Sequence, residues 1–222
     1  MRTRLTGAML AVLGGLLTLP AVARAGTPEH GGEAAPRRAP SVYCGFEARP
    51  DCPVTLLHDL GFGAGPSLAG AGIDVVRRYF TDVGVLVAVR WGSRVHVGPV
   101  LGLGLDSGKA TFAWHVNPRV RARWWLGDWS RGGWPWALEG SLGGSVTRVE
   151  LRDGAARGYK AGIAADVAFS YKAWVGLFIE GEALFDVDVG DGPEMRVVGG
   201  LRGSLIMQAL TAYWLLRGGW GG

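Results

Sequence analysis

Residues 114–125, WHVNPRVRARWW, carry arginine at every second position, Arg119, Arg121 and Arg123, with Val116, Val120, Ala122 and Trp124 between and around them. Side chains two residues apart share one face in a β-strand. The stretch therefore reads as a strand with one cationic face and one apolar face. In a soluble sheet the apolar face turns to a core. In a membrane-spanning barrel it turns to lipid, and the polar face turns inward. The placement of the aromatics and the balance of charge decide between the two.

The same alternation recurs, and helical periodicity is poor, so strands are predicted over residues 54–65, 79–91, 94–106, 110–126, 136–151, 158–171, 173–186 and 194–209. Their lengths meet or exceed the ~9–11 residues that cross a bilayer when tilted. In several strands the apolar face is aliphatic in its middle and aromatic near its ends. Tyr79, Trp91, Trp114, Trp124, Tyr159 and Tyr171 are the expected interface residues, because Trp and Tyr favour the two bilayer surfaces.

With the apolar face outward, the charges point inward. The cations assigned to the lumen are Arg90, Arg119, Arg121, Arg123, Lys160, Arg196 and Arg202. The anions are Asp59, Asp82, Asp106, Glu139, Asp166, Glu180, Glu182 and Asp186. The two sets nearly balance, as burial of charge demands. Small residues among them, such as Gly84, Gly98, Gly102, Gly104, Ser141 and Gly162, leave room for long side chains to cross. Eight strands enclose a space that side chains just fill. The fold class is all-β: an antiparallel up-and-down transmembrane β-barrel of about eight strands, without a wide pore.

Residues 1–25 read as a secretory signal. Arg2 and Arg4 open it, an apolar run follows, and Ala23-Arg24-Ala25 presents small residues at the cleavage positions. Losing Arg2, Arg4 and Arg24 would lower the net charge from +4 to +1, so basicity gives no support for a nucleic-acid partner. Residues 26–53 are read as a flexible leader and 54–222 as the barrel. Cys44 and Cys52 are the only cysteines. An even pair after an export signal points to one disulfide. Two free thiols or a metal pair are the alternatives, and no His lies close enough in sequence to complete a zinc set.

Turns two, four and six share one end of such a barrel and are expected to be the shorter set. "PSLAGAGIDVVRR" is read as a long loop between the first two strands. Pro99 and Pro118 lie inside predicted strands, where a closed barrel has no edge to excuse them. A bulge or local opening shared by strands three and four is the expected accommodation.

Signal, eight alternating strands, aromatic ends and charged lumen together resemble the small eight-stranded outer-membrane barrels of Gram-negative bacteria, of the OmpA-barrel, OmpX and OmpW types. The resemblance covers residues 54–209 and rests on pattern. It implies residence in the outer membrane, with outer-membrane lipid and the barrel assembly machinery as partners. Barrels of this kind usually end on an aromatic residue; here Trp220 is followed by two glycines.

Some such barrels modify lipid A. His115-Val116-Asn117 is similar to the His-x-Ser-Asn pattern of the lipid A deacylases but lacks its serine, so no nucleophile is assigned and no catalytic residue is expected. Glu180 and Glu182 share a face and could do acid–base work; ion pairing with the arginines is the simpler role. "GFGAGPSLAGAG" lacks the Lys-Ser/Thr ending of a phosphate loop. No cofactor or metal site is read. A soluble, lipocalin-like barrel binding an apolar ligand is the alternative; it would turn the apolar face inward and the arginines outward.

Overall fold

The computed structural model describes residues 48–69, 72–90, 93–109, 111–129, 132–151, 157–188 and 192–204. The signal segment, Cys44 and Trp91 lie outside them. Eight antiparallel strands pair in sequence order and close into a barrel. They are β1 Val54–Ala69, β2 Gly72–Ala88, β3 Val95–Ser107, β4 Thr111–Trp125, β5 Trp136–Leu151, β6 Arg157–Tyr171, β7 Val175–Asp186 and β8 Glu194–Ser204. The pairing path from Val54 runs through Val87, Val97, Ala122, Gly140, Val167, Ile179 and Gly199 and returns to β1 at Ala64. The ladder is thus staggered by ten residues per turn, which sets the strands at about 35–45° to the barrel axis.

Sequence alternation and pleat agree around the wall. In β4, Arg119, Arg121 and Arg123 are buried, whereas Trp114, Val120 and Trp124 are more than half exposed. Tyr79, Tyr159 and Tyr171 also point out. The middle of the outward face is apolar: Leu142, Leu177 and Ile179 are each more than 60% exposed, while the outward charges Arg77 and Arg148 stand towards the end away from the chain termini. The faces are therefore oriented opposite to those of a lipocalin-like barrel.

Several expectations are corrected. Pro66 pairs with Val75 and Ala69 with Gly72, so the long loop expected between the first two strands is mostly strand. Just before it, Gly65 makes a close approach that needs glycine: a Cβ there would lie 1.8 Å from the Val197 carbonyl oxygen. The expected asymmetry of the turns is also absent. Connections at the end away from the chain termini span residues 70–71, 108–110, 152–156 and 187–193. Those at the terminal end span 89–94, 126–135 and 172–174, which are not shorter.

The β3–β4 ladder, expected to open, runs unbroken from Val95↔Trp124 to Ser107↔Phe112. Pro99 instead interrupts β2–β3, where Val85 and Leu86 lack register partners. Pro118 interrupts β4–β5 opposite Gly144 and Ser145. Pro66 coincides with a third break, in β1–β8. A proline has no N–H to donate, so each ladder yields only on one side of its proline.

The terminal mouth is closed by side chains. Trp125 packs with Ala48, Ala137 and Ala173, and Trp129 lies against them. The Lys172 ammonium lies 4.8 Å from the rings of both Trp129 and Trp174. Ala48 and Cys52 are buried, so the end of the supposed leader belongs to the folded mouth. Cys52 is disulfide-bonded, and its carbonyl lies 2.7 Å from His96 Nε2.

Candidate functional site

The lumen is built from β4 outward. Register sets Arg123 opposite Glu139 on β5, and Arg123 Nε donates to Glu139 Oε1 at 3.0 Å. Arg121 faces Ser141. The short serine leaves Arg121 free to cross the lumen, where its guanidinium meets Asp82 on β2 and lies 3.1 Å from Asp59 on β1. Arg119 branches, with Asp82 at 2.8 Å, Asp166 at 2.9 Å and Glu180 at 2.7 Å. Asp82 thus joins two rungs of the arginine row.

Towards the far end Arg78 becomes the hub. It forks onto Asp106, with Nη2 at 2.7 Å from Oδ2, and contacts Glu180 and Glu182. Arg196 reaches Asp106 at 2.7 Å and also Glu194. Glu194 in turn accepts from Lys160 at 2.9 Å and from the Ser67 hydroxyl at 2.6 Å. On the terminal side Arg202 bridges Asp166 at 2.7 Å and Glu139 at 3.0 Å. Together these contacts link seven cations and eight carboxylates from all eight strands into one network. Each member is nearly sealed from solvent. Charge in such surroundings is tolerable only when paired and hydrogen-bonded.

The arrangement needs empty wall positions. A Cβ on Gly102 would stand 2.8 Å from Asp82 Oδ1 and 2.9 Å from Arg119 Nη2. On Gly61 it would strike the Phe80 ring; that ring meets Phe178 edge-on at 5.2 Å. An apolar patch of Phe80, Phe178, Ala168 and Val198 therefore shares the lumen with the ion pairs.

Of the predicted lumen residues, Arg119, Arg121, Arg123, Glu139, Asp166, Glu180 and Glu182 come together as expected. Arg90 does not: β2 ends at Ala88, and Arg90 lies beyond it, exposed. Asp186, at the end of β7, is half-buried. Two members went unassigned, Arg78 and Glu194. Arg78, one residue before the predicted second strand, shares parity with Asp82, and Glu194, the first residue of the predicted eighth, shares parity with Arg196, so alternation carried to the strand ends finds both. Arg121 reaches Asp82 and Asp59 across the lumen and not the acid of the neighbouring strand, because register commits Glu139 to Arg123.

His115 and Asn117 are buried in the same lumen. His115 Nδ1 lies 3.5 Å from Asp106 Oδ1, and Asn117 Nδ2 donates to Glu182 at 3.4 Å. Both are absorbed by the network. Among the described residues no group of three or more His, Cys, Asp or Glu is placed to hold a metal ion.

Neither a protein-family model nor a curated protein matches the sequence. Among solved structures, Neisserial surface protein A is similar at 11% identity and a TM-score of 0.44, with 67% of this chain and 96% of that chain covered.

Proposed function

We propose that the chain is an integral barrel protein of the bacterial outer membrane. Its lumen is packed shut by ion pairs, and its role is to stabilise the envelope or to present the loops of its outer end, not to conduct through a wide pore. One observation carries this reading: a belt of exposed apolar side chains runs around a barrel whose interior is ionic. Water would oppose both halves of that arrangement. Leu, Ile and Val would stand in solvent, while a chain of charges would be buried. In a bilayer the belt meets hydrocarbon, and the aromatics meet the interfaces. Export by the amino-terminal signal and insertion by the barrel assembly machinery complete the reading, with outer-membrane lipid as the constant partner.

The test is fractionation. The mature chain is expected with the outer membrane and should require detergent to remain monodisperse. A detergent-free monomer recovered from the periplasm would overturn the proposal.

A further inference from the structure

The outer wall is not uniformly covered. At Gly199 of β8 an outward position carries no side chain, and its neighbour across the ladder is Ala64 of β1. A groove of about 610 Å³ opens there. Leu177 and Ile179 of β7 bound one side, and Phe62 and Tyr79 the other. Its size lies within the ordinary range of ligand sites, roughly 300–1,000 Å³. The groove keeps its space without strain: a Cβ built on Gly199 would touch only the Phe178 carbonyl oxygen, at 3.7 Å.

One end of the groove is charged. Arg77 of β2 is exposed and lines it. It pairs in register with Ser107, the last residue of β3, which places it at the rim away from the chain termini. The next outward residue below it is Tyr79, one of the aromatics at that interface. Among the described residues no acid pairs with Arg77, in contrast to Arg148, which lies 3.0 Å from Glu150. An apolar trough capped by an unpaired guanidinium is complementary to an amphiphile with an anionic head, and a guanidinium binds phosphate oxygens in bidentate fashion.

We propose that this groove holds one acyl chain of a phosphorylated glycolipid of the outer leaflet, with a phosphate on Arg77. The inference rests on the outer-membrane reading. An exported chain leaves both barrel termini on the periplasmic side, so the Arg77 rim lies in the outer leaflet, whose lipid is a phosphorylated, acylated glucosamine. The site is a lipid anchor on the wall, separate from the lumen network.

The experiment is native mass spectrometry of the full mature chain folded in detergent micelles. The added probes are bis-phosphorylated lipid A, its dephosphorylated form and phosphatidylglycerol. Dependence of the chain on detergent is measured first and tests the membrane reading separately. Wild type should retain one lipid A per barrel. Arg77→Gln should weaken retention about tenfold or more, the loss of a charge-assisted contact, and should abolish the preference for the phosphorylated form. Gly199→Leu, which fills the trough, should reduce retention of both forms. Both positions face outward, and a heat-modifiability gel confirms that each variant is folded. Equal retention by wild type and both variants overturns the proposal. Phosphatidylglycerol retained as well as lipid A, with the same dependence on Arg77, overturns the glycolipid assignment.

Discussion

β4 shows two surfaces made by one set of fifteen residues. Its inner row, Arg119, Arg121 and Arg123, is tied to acids on β1, β2, β5, β6 and β7. Its outer row, Trp114, Val120, Ala122 and Trp124, is exposed and carries no ion pair. Inner positions are therefore specified by partners far away in sequence. Outer positions are specified by polarity alone. A substitution should be costly inside because it strands a charge, and costly outside only when it introduces one.

The largest effect is expected at Arg121→Ala. It removes the cation shared by Asp82 and Asp59 and should destabilise the barrel by about 3–5 kcal/mol in a urea titration of the micelle-folded protein. Arg121→Lys should lose less, since the charge stays while the fork is lost. The sharpest form of the comparison moves the same residue type by one position. Val120→Arg places an arginine on the outward face in the middle of the belt and should cost about 2–4 kcal/mol in a bilayer. The same variant would be nearly harmless on a water-exposed wall.

The third effect is smaller and lies at the mouth. Lys172→Met keeps the length of the side chain but removes the ammonium from between Trp129 and Trp174, at a cost of about 1 kcal/mol. The smallest is Arg90→Ala, beyond the end of β2, expected to fall within about 0.5 kcal/mol of wild type. A cost at Arg90 approaching that at Arg121 would erase the distinction between lumen and rim.

The difference between the two faces also explains what could be read from sequence. Strand identity and sidedness were legible because they depend on neighbours two residues apart, and β4 and β5 show this most plainly. Partner choice was not. Arg121 selects Asp82 and Asp59 through register and stagger, which bring β1 and β2 across the lumen; nothing near residue 121 encodes that. Strand ends were read poorly where local propensity opposed the fold. Pro66 and Gly72 look like loop, yet closure of the ladder draws them into strands, and with them Arg78 enters the lumen. Arg90 has the inward parity but stands past the last pair, where parity no longer has meaning. Pro99 and Pro118 were legible as a problem, whereas Pro66 looks like loop. Their solution, a break confined to one side of each, required the register.

The central claim is that the outer face of these strands meets lipid. A single cysteine placed at Val120, Leu142, Ile163 or Ile179, all outward and exposed, can carry a small fluorophore, since Cys52 is held in a disulfide. The barrel is then folded into vesicles of phospholipid brominated at mid-chain. Strong quenching by the bromines at all four positions, with little quenching by aqueous iodide, is the expected result. Fluorescence quenched by iodide and untouched by the brominated chains would place that face in water and contradict the account.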